Sequence, residues 1–199
     1  MEIRRVKKHD VDMTSGSVFR HLLNFAVPLL MGNIFQQLYN TVDTWVVGNY
    51  VSNEAFSAVG TVAPIINTLI GAFSGLASGA GVVISQYYGA GKYDRVKDAV
   101  HTAVMMTLVL SVAFTAIGLA MTPDMLRLMK TPAEVFPQSR AYLYIYFSGM
   151  AGLMLYNMGA GILRAVGDSK RPFYYLVCAA VINTVLDLVF VIAFDMGVE

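Results

Sequence analysis

Two carboxylates stand where a carboxylate is expensive. Of the 13 acidic residues, Asp43 and Asp187 lie deep inside long apolar runs. A charge at the centre of a bilayer costs at least about 2.5 kcal/mol on insertion scales, so such a residue faces a cavity or a partner group. Asp43 closes a series: Asn33, Gln36, Asn40 and Asp43 recur at steps of three and four, which puts them on one helical face. That face either lines a water-filled cavity or forms a hydrogen-bonded helix interface. Asn183 precedes Asp187 by four residues and shares its face. The amide can hydrogen-bond the carboxylate or join it in holding a cation. Burial favours the protonated form of a carboxyl group, and a bound cation favours the ionised form. A group balanced between the two is suited to exchanging H⁺ or Na⁺. Asn157 is a further polar candidate inside an apolar run.

Other chemistries lack their residues. The single cysteine, Cys178, leaves no disulfide framework and no multi-cysteine metal site, and reads as a small helix-packing residue. His9, His21 and His101 are scattered outside any HExxH pattern. Gly91-Lys92 resembles a phosphate loop superficially, but Gln86 and Tyr93 stand where that motif needs glycine and Ser or Thr. No Ser/His or paired-Asp motif of an intramembrane hydrolase is present, so no enzyme activity is expected. Nor is any cofactor or metal, beyond Na⁺ at Asp43, Asp187 and Asn183. A net charge of +1 gives no case for nucleic acid.

The elements that must position these residues are membrane helices. Only 14% of the residues are charged and 56% are hydrophobic, where a soluble domain carries roughly 25% charged residues. A basic tail over residues 1–17 leads into apolar runs at about 19–47, 55–88, 96–121, 138–166 and 173–194. Each is long enough to cross a hydrocarbon core of about 30 Å, and helices satisfy their own backbone groups in lipid. The first run follows a basic segment, as a signal peptide does. It is too long, too polar and followed by too many further runs to be one. Pro28 inside it removes a backbone donor and can kink a helix. Gly89–Asp94, Thr122–Pro137 and Gly167–Pro172 break the runs. Gly71, Gly75 and Gly79 predict a close-packing face, and Tyr142 with Tyr146 an interfacial belt.

Basic residues orient the runs. Arg4, Arg5, Lys7, Lys8 and Arg20, then Lys92, Arg95 and Lys97, then Arg164, Lys170 and Arg171 fall on one side. Only Arg127, Lys130 and Arg140 fall on the other. That asymmetry predicts five spans with a cytoplasmic N-terminus. An odd helix count and a stop at Glu199, just past the fifth run, predict an incomplete lobe spanning residues 18–199.

Three segments carry a family resemblance: Gln37-Leu38-Tyr39-Asn40-Thr41-Val42-Asp43-Thr44-Trp45-Val46-Val47-Gly48, Ser85-Gln86-Tyr87-Tyr88-Gly89-Ala90-Gly91, and Asn157 through Asp168 followed by Pro172 and Asn183–Asp187. From about residue 14 to its end the chain resembles the N-terminal part of a multidrug and toxic compound extrusion (MATE) transporter. The resemblance implies an all-α membrane protein whose five helices belong to a six-helix lobe, one of two lobes around a central cavity. It implies export of organic, often cationic, compounds in exchange for Na⁺ or H⁺. The family's N-lobe acidic and amide positions carry over to Asp43, Asn157, Asn183 and Asp187, with Asn33, Gln36, Tyr39 and Asn40 lining the cavity. Its bending first-helix proline carries over to Pro28. The expected setting is a bacterial inner membrane, crossed several times. The expected partners are membrane lipid, a small organic substrate and the missing C-terminal lobe. Two alternatives remain: a lipid-linked precursor flippase of the wider superfamily, and a membrane protein with a structural role only. A flippase should line its cavity with cations, whereas the intramembrane charges here are acidic. A structural protein has no need of the first-run polar stripe.

Overall fold

The computed structural model describes residues 17–50 and 53–190. Its elements are α1 (Val18–Tyr50), α2 (Asn53–Gly89), α3 (Tyr93–Leu128), α4 (Phe136–Ser148), α5 (Met150–Ala165) and α6 (Lys170–Leu188), with no strand among the described residues. The basic tail through residue 16 and the end of the fifth run from residue 191 lie outside the described residues. The segment 56–89 within α2, and all of α3, are long and apolar enough to cross a membrane. Helix α1 carries the polar stripe, and α4 and α5 are each shorter than the roughly 20 residues a span needs.

Backbone chemistry sets the helix ends. At the end of α2, Lys92 N–H bonds the Tyr87 carbonyl and Gly91 N–H the Tyr88 carbonyl, both at 3.0 Å. At the end of α5, Asp168 N–H bonds Leu163 at 2.9 Å and Gly167 N–H bonds Arg164 at 3.0 Å. Both are Schellman closures. Gly91 (φ +69°) and Gly167 (φ +87°) occupy the left-handed position that a Cβ disfavours. Asp168 then starts α6: its Oδ1 accepts the Lys170 and Arg171 backbone N–H groups at 3.2 and 3.1 Å. Helix α3 closes in the same way at Lys130 (φ +54°), without a glycine.

Two segments differ from the sequence expectation. Helix α3 runs through Pro123 to Leu128 instead of stopping near 121, as transmembrane helices tolerate proline where neighbouring groups stand in for the lost bond. The fourth run is two helices, broken at Gly149. Gly149 N–H still bonds the Ile145 carbonyl at 3.0 Å, and a tight turn closes from Gly152 N–H to the Gly149 carbonyl at 3.1 Å. The Thr115 hydroxyl of α3 donates to the Phe147 carbonyl beside this break at 3.1 Å.

The core lies between α2, α3, α4 and α5, around Val62, Phe73, Leu126, Leu143, Phe147 and Met150. Phe73 and Phe114 meet edge to face at 5.2 Å. Two buried hydroxyls return to their own helix, Thr107 to the Ala103 carbonyl (2.7 Å) and Thr122 to the Gly118 carbonyl (2.6 Å), as suits a medium without water. Helix α5 packs on α2 at short range. A Cβ on Gly161 would lie 3.0 Å from the Ala77 carbonyl oxygen, and one on Gly81 would lie 3.8 Å from the Ala165 Cβ. Contacts advance in step along both chains, so the second and fourth segments run the same way. The turns that follow α2 and α5 therefore leave the bundle at the same end.

The expected packing stripe is not the one used. A Cβ on Gly71, Gly75 or Gly79 would meet nothing within 4 Å; α2 closes on α5 through Ala77 and Gly81 instead. Tyr142 and Tyr146 pack against the core rather than forming a belt, and the Tyr146 hydroxyl is sealed without a hydrogen-bond partner. Cys178 is exposed on α6, not packed.

Candidate functional site

All but one of the predicted site residues lie on two helices that pack on each other, α1 and α6. Helix α1 seats against α6 where Gly32, the small residue one turn beyond Pro28, is buried. A Cβ there would lie 3.7 Å from Leu176 Cδ2 and 3.8 Å from Phe173 Cδ2. Phe35 and Phe173 meet edge to face at 6.1 Å across the same seam. Beside the seam, Asn33, Gln36 and Asn40 are exposed on one flank of α1. The stripe therefore has one edge on the α1–α6 contact and the rest of its face open.

Asn183 belongs to α6, seven residues beyond Leu176 and hence on the same face. Its side chain is half-buried. Its Oδ1 is sealed from solvent and accepts no hydrogen bond among the described residues. A buried acceptor without a donor costs about 1–3 kcal/mol, and such an orphan oxygen is a group that a cation or a proton donor would satisfy.

Asn157 lies on α5, whose packing is mainly against α2 and α3. Its Nδ2 donates to the Leu153 carbonyl at 2.9 Å, which leaves the amide oxygen as the group it can offer elsewhere. The neighbouring Tyr156 hydroxyl joins α5 to α6 at the Pro172 carbonyl, 3.5 Å away. Asp43, Tyr39 and Asp187 have helical backbone in α1 and α6, but their side chains lie outside the described residues. The structure thus sets Asn33, Gln36 and Asn40 on α1 beside its contact with α6, Asn183 on α6, and Asn157 on a separate helix, α5. Sequence reasoning missed Gly32, which admits α6 to the α1 backbone. Its signal was a lone small residue one turn after Pro28 in a run of bulky side chains.

The described residues form a bundle of long apolar helices, with amide side chains beside the contact of α1 with α6. The sequence profile of the MatE family matches residues 28–189, and the chain belongs to that family. It is 39% identical over 170 residues to the probable multidrug resistance protein YoeA of Bacillus subtilis (strain 168), covering 85% of this chain and 37% of that protein. To the probable multidrug resistance protein YpnP of the same organism it is 33% identical over 187 residues, covering 94% and 42%. It superposes with a TM-score of 0.89 on the solved outward-facing structure of a multidrug resistance MATE family transporter of the MOP superfamily, at 26% identity, covering 96% of this chain and 42% of that one. The chain spans about two fifths of the length of the relatives it matches.

Proposed function

We propose that the chain supplies the ion-binding lobe of an antiporter that exports organic, cationic compounds in exchange for Na⁺ or H⁺. Asp43, Asp187 and Asn183 hold the coupling ion, and Asn157 borders the site. The observation that carries this reading is the sealed, unpartnered Asn183 Oδ1 beside the α1–α6 seam. Register supports it. Positions 43 and 187 lie eleven residues beyond Gly32 and Leu176, which oppose each other across the seam. Eleven residues are about three turns and about 16.5 Å of rise. We take α1 and α6 to run the same way, as the alternation expected from the basic residues requires; positions 43 and 187 then stand at one height along the seam. An ion held there biases the lobe towards one access state through its differential affinity for the two. Rocking against a second lobe then exposes the cavity to each side in turn. The N-terminus lies in the cytoplasm of a bacterial cell and the spans in its inner membrane. Pro28 lets the lower part of α1 bend relative to the seam. The acidic positions favour a cationic cargo over the pyrophosphate of a lipid-linked precursor.

Dye efflux from cells expressing the complete reading frame tests the proposal. Asp43→Asn and Asp187→Asn should each reduce ion-driven efflux at least tenfold, the loss of about 1.4 kcal/mol or more of coupling, with surface expression unchanged. Wild-type efflux in both variants would exclude these residues as the ion site.

A further inference from the structure

The two ends of the bundle treat their cations differently. At the end carrying the α3–α4 connection, Arg127 pairs with Asp124 at 3.6 Å and Arg140 stacks over the Tyr144 ring at 5.0 Å. At the other end, Lys92, Arg95, Lys97 and Lys170 are all exposed, and none pairs with a carboxylate among the described residues. The nearby Asp168 is already engaged: Arg171 holds it at 3.1 Å, and its other oxygen starts α6. The parallel packing of α2 and α5 makes the turns at 90–92 and 166–169 leave the bundle at this same end. Exposed tyrosines mark its level: Tyr93 is 62% exposed and Tyr174 is 60% exposed. Amphipathic aromatic rings settle at the headgroup level of a bilayer, and unpaired cations there attract anionic lipid.

We propose that this end is a docking surface for anionic phospholipid, with Lys92, Arg95, Lys97 and Lys170 holding the phosphodiester headgroups of the leaflet they meet. At the opposite end Arg127 and Arg140 have partners and Lys130 stands alone among the described residues, so that end offers no comparable row of cations. Long lysine and arginine stems reach the headgroups while their methylenes stay against the apolar helix surface. The surface does not depend on the ion-coupling proposal.

The chain is reconstituted into bilayers of phosphatidylcholine containing either spin-labelled phosphatidylglycerol or spin-labelled phosphatidylcholine. The motionally restricted fraction gives the relative affinity. Phosphatidylglycerol should be preferred on the order of fivefold at low salt, and the preference should fall as salt screens it. The fourfold variant Lys92→Gln, Arg95→Gln, Lys97→Gln, Lys170→Gln should bring the ratio to about unity. A charge-keeping variant, Lys92→Arg, Lys97→Arg, Lys170→Arg, should retain the preference, and Arg127→Gln with Lys130→Gln should leave it unchanged. No preference in the wild type overturns the proposal. So does a preference that the opposite-end variant abolishes, or one that inorganic phosphate displaces at matched ionic strength, which would mark a site for a soluble anion.

Discussion

Asn183 and Asp187 show what one side chain reveals on its own and what it does not. Their spacing put both on one face from the sequence, because four residues are nearly one helical turn. That the amide oxygen would be sealed and unsatisfied depends on the packing around it, and no local pattern encodes that. The orphan leads to a prediction. Asn183→Leu removes an unpaired acceptor and keeps similar bulk. In the absence of coupling ion it should raise stability by about 1 kcal/mol, a shift of roughly 2–4 °C in the unfolding midpoint for a chain of this length. The same variant should lose the rise in midpoint that Na⁺ gives the wild type. A lower midpoint in ion-free buffer, together with a preserved Na⁺ response, would show that the Asn183 oxygen is satisfied some other way. Lys130 illustrates the opposite case. It closes α3 in a left-handed conformation that glycine normally takes, so no glycine marks the stop, and the expected end near 121, before Pro123, falls seven residues short of the observed end at Leu128.

At the scale of elements, the runs themselves were legible because apolar length and basic loops are additive signals. Where helices touch was not. Gly71, Gly75 and Gly79 carried the spacing of a packing motif, yet the contact to α5 runs through Ala77 and Gly81, on a different face of α2. Composition names the small residues of a helix, whereas the partner's position selects which of them are used. Gly118 is one that is used: any Cβ there would run into the Phe147 ring, which lies over it in the α3–α4 seam. Gly118→Ala should cost about 1–3 kcal/mol through overpacking, read as a lower thermal midpoint in detergent. Phe147→Leu in the same chain should recover much of that loss, since the two sites couple directly. If Gly118→Ala unfolds at the wild-type temperature, the ring does not sit where the seam requires. The break at Gly149 was also hidden, because it keeps helical dihedrals and shifts only the hydrogen-bond pattern.

For the whole molecule, the parallel α2–α5 contact sets the turns at 90–92 and 166–169 at one end of the bundle, and the basic residues of the sequence predict five alternating segments. Reporter fusions after Asn53 and Lys92 should therefore report opposite sides of the membrane, and matching sides would refute the alternation. The central claim is that Asp43 and Asp187 face each other across the α1–α6 seam with Asn183 beside them. Because Cys178 is the only cysteine in the chain, replacing it with serine gives a clean background for Asp43→Cys with Asp187→Cys. Treated in membranes with a short-armed bis-maleimide, this pair should cross-link as efficiently as a Gly32→Cys, Leu176→Cys pair at the observed contact. Efficient linkage of the contact pair with none between positions 43 and 187 would place the two acidic residues apart and contradict the shared ion site.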